Sequence, residues 1–355
     1  MAKPRKNIIY YLLSLLYGGV TAVRNFLFDI KLLPSVGFNV PIIGVGNLAV
    51  GGTGKTPHTE FLLKILSPDF QTAVLSRGYK RSTKGFVLAD ENSDAVQIGD
   101  EPYQIFSKFP QTVVAVDEKR VNGVKELLHR FPKTEVILLD DSFQHRHIQA
   151  GLSILLTDFR LPFTEDNMLP YGTLREYACN SKRADIVIVT KCPKDAVLDK
   201  NVFHKKLNLL PEQELYFSTF EYGKIYPVFE KNIEAPEIIR TTTVFIVTGI
   251  ENPEPMHRYL ETLTEKIVKF NFPDHYGFSK NDLEEIEQKF NDTEGEKIIV
   301  TTEKDAARLK SNSFISDQIK NNIFALPLEV KILLGEEEKL INKIYDYVRK
   351  NSTNG

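Results

Sequence analysis

Cysteine is almost missing from this chain. Two residues, Cys179 and Cys192, are all that 355 positions hold, and they form neither a C-x-x-C pair nor a disulfide framework. That argues against a cysteine metal site and for a reducing compartment. Excess charge is missing too. Lys and Arg total 45 against 47 Asp and Glu, a net charge of −2, so no basic field attracts nucleic acid. Internal repeats and low-complexity tracts are absent. So is an uncharged run of the roughly 20 residues that a spanning helix needs. The nearest is IIYYLLSLLYGGVTAV, residues 8–23, which follows Lys3, Arg5 and Lys6 and leads into RNFLFDIKLLP, with charge at Arg24, Asp29 and Lys31. No A-x-A-type site closes it, which argues against a cleaved signal peptide. The expectation is an interfacial helix whose basic start meets anionic headgroups. A buried core helix or an uncleaved anchor is the competing reading.

What is present describes a folded chain. Hydrophobic residues make up 42% and charged residues 26%, which excludes a disordered chain, and the length suits two or three domains. Short apolar runs rich in β-branched residues fall at 39–47, 72–79, 112–116, 135–141, 152–158 and 185–191, mostly separated by helical or polar segments. Alternation of this kind predicts a doubly wound α/β domain with a parallel sheet. At 214–229 aromatic and polar residues alternate around Gly223, which reads as a β-hairpin. The pattern then restarts, with apolar segments at 243–250, 266–272 and 297–309, a last strand at 323–330, and helices from about Pro255 and over 279–290, the second capped by Ser279. The expected organisation is an N-terminal membrane-associated helix (1–35), a core (36–213), a hairpin linker (214–240) and a smaller C-terminal α/β domain (241–350). The last residues, 350–355, read as frayed.

The most informative stretch is VGNLAVGGTGKTPHTEF, residues 45–61. Gly51, Gly52, Thr53 and Gly54 lie between a strand and a helix, followed at once by Lys55 and Thr56. Glycines let successive N–H groups curl inward around a phosphate, and the helix N-terminus adds favourable dipole. A lysine there reaches the β and γ phosphates, and a hydroxyl ligates Mg²⁺. The strict G-x-x-x-x-G-K-[ST] pattern fails at its first position, which is Ala49. A nucleotide site of this kind needs an acidic group on a neighbouring strand, and EVILLDD ends on Asp140 and Asp141. Asp100 and Glu101 precede a helix, and His275 lies in the turn-like FPDHYGF. Arg77, Arg120 and Arg175 sit near strand ends or turns, where arginine can stabilise charge on a transferred phosphoryl group. His145 and His147 invite a metal reading, which a phosphate loop does not require.

In this order VGNLAVGGTGKTP, SRGYKR, GDEP, LDDSFQHR, LPYGTLRE, TGIENP, FPDHYGF and TEKD resemble the tetraacyldisaccharide 4'-kinase family over about residues 8–310. The resemblance implies a P-loop fold with a smaller C-terminal domain and a β-hairpin linker. It implies ATP as phosphoryl donor, Mg²⁺ as cofactor and a tetraacylated glucosamine disaccharide 1-phosphate as acceptor, giving lipid IVA. It places the enzyme at the cytoplasmic face of a bacterial inner membrane, held there by its N-terminal helix, and a monomer is expected. Residue by residue, Lys55 is implied as the phosphate lysine, Thr56 as the metal hydroxyl, and Asp140 and Asp141 as the acidic pair at Mg²⁺. Asp100 is implied as the group that takes the sugar hydroxyl proton, with His275 its partner from the other domain, so that chemistry would wait for closure. Glu101, Arg120, Arg175 and Glu176 are implied as supporting residues. Ser142, Tyr177 and Lys80 stand where the family pattern implies glycine, proline and glycine. Two other classes compete. A GTPase or metallochaperone-type ATPase would want N/T-K-x-D, but VTKCPKD has Pro193 in the aspartate's place and TEKD carries an extra residue. A non-catalytic ATP-sensing scaffold would have no use for Asp100 and His275 together.

Overall fold

The structure is a computed structural model that describes residues 7–229 and 233–352. The basic Lys3, Arg5 and Lys6 and the last three residues of the tail read as frayed lie outside these. In chain order the elements are α1 (Ile8–Asp29), β1 (Ile42–Asn47), α2 (Lys55–Leu66), β2 (Thr72–Ser76), β3 (Val87–Leu88), α3 (Ala95–Ile98), α4 (Asp100–Lys108), β4 (Val113–Val116), α5 (Arg120–Arg130), β5 (Val136–Asp140), β6 (Leu152–Asp158) and β7 (Ile186–Thr190). There follow α6 (Lys200–Lys206), β8 (Glu214–Tyr222), β9 (Tyr226–Pro227), β10 (Thr243–Thr248), α7 (Glu254–Glu261), β11 (Lys266–Asn271), α8 (Lys280–Asn291), β12 (Lys297–Thr302), α9 (Glu303–Lys310), α10 (Asp317–Lys320), β13 (Ile323–Leu326), β14 (Leu328–Ile332) and α11 (Glu337–Ser352).

Two compact units result. The first comprises residues 1–91, 108–220 and 330–355, the second residues 92–107 and 221–329. In the first, the sheet order is β14-β8-β7-β6-β1-β5-β2-β4-β3. The pairs from β4 through β2, β5, β1, β6 and β7 to β8 are parallel, and β3 is antiparallel. Every residue of β1, β2, β5 and β7 is buried. Strands covered on both faces read as continuous apolar runs rather than alternating ones, which is how they stand in the sequence. The strand ends matter most. Val45 pairs with Asp140, so β5 ends two residues short of the end of β1 at Asn47. Ligands of open α/β sheets bind beyond the carboxyl ends of such strands.

In the second unit the order is β11-β10-β12-β13-β9, parallel except for β9. The start of α8 is fixed by a capping box between Ser279 and Asp282.

Three expectations change. The 214–229 stretch turns at 223–225, but its two strands do not pair: β8 lies parallel to β7, and β9 lies antiparallel to β13. Leu215–Thr219 are all buried, so β8 is a sheet interior strand and not one arm of a ribbon. The strand expected over 323–330 breaks at Pro327, which has no N–H to give. The division at 213 and 241 also differs from the observed one. Residues 92–107 belong to the second unit, and α11 returns to the first.

Candidate active site

In the first unit the glycine loop leaves β1 at Asn47, which is fully buried. Its side-chain amide donates to Thr53 Oγ1 at 2.7 Å, and its oxygen accepts from Lys55 Nζ at 3.5 Å and from Arg175 Nη2. Gly51 and Gly54 take φ of 108° and 90°, a region closed to most side chains. Gly54 is the N-cap of α2 and brings no side chain to its amides. The first N–H groups of α2 are thus left for an anion. Thr56 is the second residue of α2 and is buried.

Asp140 ends β5, is buried, and accepts from Thr59 Oγ1 at 3.3 Å. Asp141 follows with φ of 49°, a left-handed residue, so the two carboxylates do not alternate across an extended strand as β geometry alone would have them. Arg175 forks onto Asp141 with bonds of 3.0 and 2.8 Å, and Lys55 Nζ lies 3.8 Å away. Burial would raise this carboxyl. The Arg175 bonds and the Lys55 charge win and hold it at about 2. Arg120 is buried, donates to the Asp140 carbonyl at 3.1 Å, and keeps a buried Nε with no partner. Burial pushes its guanidinium down to about 10. His145 is pushed down to about 4 by burial, with Arg120 adding to the effect, so it is neutral at neutral pH. Glu176 stands back from this cluster. It is buried and accepts from Asn25 (2.7 Å), Gln144 (2.9 Å) and Arg183 (2.8 Å).

The second unit holds the other candidates. Asp100 and Glu101 open α4, just after Gly99 at φ 95°. His275 Nδ1 lies 2.9 Å from Asp100 Oδ2. His275 itself has φ of 61°, held by its N–H on the Gly249 carbonyl. Strained residues of this kind persist where surrounding structure over-determines them, often at functional sites. Glu101 accepts from Lys304 Nζ at 2.9 Å. Burial works against the Lys304 charge, yet Glu101 raises its pKa overall. Both members of the Asp100–His275 pair belong to one unit. The pair therefore forms without any domain closure, contrary to the expectation that its members come from two domains.

The family model described as tetraacyldisaccharide-1-P 4'-kinase matches residues 7–349. The chain belongs to the tetraacyldisaccharide 4'-kinase family. Curated relatives carrying that name include one from Bacteroides thetaiotaomicron, 48% identical over 97% of this chain and 94% of the relative. Another, from Bacteroides fragilis, is 50% identical with the same coverage. Among solved structures, a crystal structure of LpxK from Aquifex aeolicus in complex with ATP is similar at 30% identity and a TM-score of 0.76, covering 95% of this chain and 98% of that one. The chain is thus a kinase with a P-loop-like α/β fold.

Each departure from the family pattern has a local counterpart in the structure, a facing glycine for two and a backbone angle for the third. Ser142 packs where Gly44 has no side chain, since a Cβ there would fall 2.7 Å from Ser142 Oγ. Tyr177 likewise meets Gly18 of α1, where a Cβ would stand 2.3 Å from its hydroxyl. Lys80 adopts φ of 60°, the conformation a glycine takes freely. Three residues around these groups do not stand out in the sequence. There Asn47 is only a strand end and His58 only part of a helix. Arg308 follows TEKD by three residues, and the i, i+3 spacing from Asp305 was the signal that could have found it. TEKD itself is no guanine motif, since its Asp305 is wholly buried and its carboxylate accepts from the Gly249 N–H and the Thr302 hydroxyl within the second unit.

Proposed function

We propose that this chain transfers the γ-phosphoryl group of ATP to the 4'-hydroxyl of a tetraacylated glucosamine disaccharide 1-phosphate, yielding lipid IVA, with Asp100 as the proton acceptor. The observation that carries the acceptor half is the 2.9 Å contact between Asp100 and His275. The donor half rests on the uncapped amides of α2, on Lys55, and on a buried guanidinium with an unpaired Nε. These donors fit a triphosphate. Thr56, Asp140 and Asp141 offer hard oxygens of the kind Mg²⁺ takes, and they would hold it. Bound there, the ion would offset the negative charge that develops on the phosphates.

In the transfer, the hydroxyl oxygen bonds to the γ-phosphorus, the bond from that phosphorus to the bridging β-γ oxygen breaks, and the hydroxyl proton passes to Asp100. ADP is the leaving group. Lys55 and Arg120 stabilise the charge spread over the phosphoryl oxygens. His275 and its hydrogen bond orient the carboxylate.

The chain is placed by this reading at the cytoplasmic face of the inner membrane, and helix α1 supports the membrane-surface part of it. The helix runs 22 residues, so the charged stretch after Val23 continues the apolar helix rather than ending it. It is long and apolar enough to cross a membrane. Its polar Ser14 and Asn25 are buried, while Ile8, Leu12, Leu16, Val20 and Val23 are exposed. A helix with its apolar face outward suits a lipid surface better than water. An assay with lipid disaccharide 1-phosphate and Mg-ATP, run on the parent and on Asp100→Ala, tests the reading. The variant should lose at least about 100-fold in turnover, the usual scale of a general base. Equal turnover would overturn the role given to Asp100.

A further inference from the structure

Asp100 is held from one side only. His275 Nδ1 at 2.9 Å, Arg308 Nε at 3.0 Å and Arg308 Nη2 at 2.6 Å all meet Oδ2. Among the described residues no hydrogen bond falls on Oδ1. The guanidinium that does most of this holding is itself anchored. Arg308 Nη1 donates to Asp305 Oδ1 at 2.7 Å and to the Gly249 carbonyl at 3.0 Å. Asp305 is wholly buried and fixed by the Gly249 N–H at 3.0 Å and the Thr302 hydroxyl at 2.7 Å. The Gly249 carbonyl also receives the His275 backbone N–H. One peptide unit at the end of β10 therefore sets both groups that grip Oδ2. All of these residues lie in the second unit.

We propose that Arg308 is the positioning residue of the proton acceptor: it occupies Oδ2 and so presents Oδ1 alone, in one direction, to the hydroxyl that is phosphorylated. The proposal rests on the reading of Asp100 as that acceptor. A free carboxylate has two equivalent oxygens and rotates between them. A carboxylate clamped through one oxygen offers the other at a fixed place, and small displacements of a reacting group cost much rate.

The clamp also sets the charge. Facing Asp100 are the cations Arg308 and Lys304, the titratable His275, and the carboxylates Glu101, Asp305 and Asp274. Burial pushes the Asp100 carboxyl up, but the bonds and charge of Arg308, then those of His275, bring it below the ordinary carboxylate range. This makes a weaker base that is always ionised near neutral pH. A loose phosphoryl-transfer transition state tolerates it, because the hydroxyl turns acidic only as its bond to phosphorus forms. The proton taken on Oδ1 then sits beside a guanidinium, which favours its release to water and restores the carboxylate.

The test is the pH dependence of kcat/KM of the full chain with lipid disaccharide 1-phosphate and Mg-ATP, for the parent, Arg308→Gln, Arg308→Lys and Asp100→Asn. In Arg308→Gln the cation is gone, so Asp100 protonates at higher pH. The midpoint of the acid limb should rise by about one pH unit or more, and kcat should fall at least about tenfold, with KM for ATP within about twofold of the parent. Arg308→Lys keeps the charge and loses the fork, so its midpoint should lie between the two while kcat still falls. A merely structural role would lower the yield of active enzyme and leave the midpoint in place. Arg308 variants with the parent midpoint and kcat, beside an inactive Asp100→Asn, overturn the role of Arg308 and leave Asp100 as the base. An Asp100→Asn enzyme that keeps the parent activity and acid limb overturns the base assignment itself. If Arg308→Gln does not accumulate as folded protein, Arg308→Lys decides through its kcat and midpoint.

Discussion

At Gly54 the chain takes φ of 90°, and the room left by the missing side chain is filled by Phe220, whose Cζ would lie 2.4 Å from an added Cβ. The same turn is braced by His58. Burial pushes this imidazole down to about 4, so it is neutral. Its Nδ1 lies 2.7 Å from the Gly54 carbonyl, which can only accept, so Nδ1 carries the hydrogen and Nε2 accepts from Ser218 Oγ at 3.0 Å. Gly54→Ala should therefore cost about 1–2 kcal/mol in backbone strain and displace the loop amides. We expect KM for ATP to rise at least about tenfold, since the loop amides are the phosphate donors. Adding Phe220→Leu relieves the contact but not the φ, so the double variant should regain only part of the loss; full recovery would show that crowding alone matters. The glycines and the Lys-Thr pair were legible because their roles follow from adjacent residues. His58 and Arg308 were not, because each gains its role from a partner 160 or 208 positions away.

Among the elements, α1 was legible as a helix and as apolar, while its orientation was not. The face that turns inward carries Ser14, Gly18, Asn25 and Phe28, chosen by the protein surface it meets. Asn25 bonds Glu176, Tyr17 bonds the Arg175 carbonyl, and Arg24 bonds the Gln144 carbonyl, all from far along the chain. No local pattern encodes those partners. What remains outside is Leu12 at 58% and Leu16 at 68% exposure, so charge placed there perturbs the fold little. Leu12→Glu with Leu16→Glu should leave thermal stability near that of the parent. Each change removes on the order of 2 kcal/mol of apolar burial in lipid, so binding to anionic vesicles should fall at least about tenfold. Co-sedimentation with vesicles of phosphatidylglycerol and phosphatidylethanolamine measures it. Undiminished binding would locate the membrane contact elsewhere. The same limit explains β8, whose alternating aromatics suggested a hairpin arm; burial on both sides, not alternation, decides its place.

For the whole molecule, the alternating α/β order was legible, and the threading was not. The chain crosses between its units after residues 91, 107, 220 and 329. Asp100 therefore sits in the unit of His275 although the intervening sequence belongs largely to the other. The C-terminal helix makes the converse journey. Its Tyr347 hydroxyl accepts from the Ile42 N–H at 3.1 Å and donates to the Ile42 carbonyl at 3.0 Å, at the start of the strand that carries the glycine loop. Its Leu340, Ile344 and Val348 are wholly buried, each worth about 1.5–3 kcal/mol. Removing them and leaving the Ile42 N–H unpaired, while its carbonyl keeps the Gly151 N–H, approaches the roughly 5–15 kcal/mol by which a domain is stable. A chain ended after Glu336 should accordingly fail to fold cooperatively, although every residue of the two candidate half-sites is retained. Tyr347→Phe is the milder probe. It should lower the urea-unfolding free energy by about 1–3 kcal/mol while kcat stays within about twofold, because the lost bonds hold a strand start and touch no reacting group. A truncated chain that unfolds in one sharp transition at the parent's midpoint would show that α11 is an appendage and that β1 is fixed from within its own sheet.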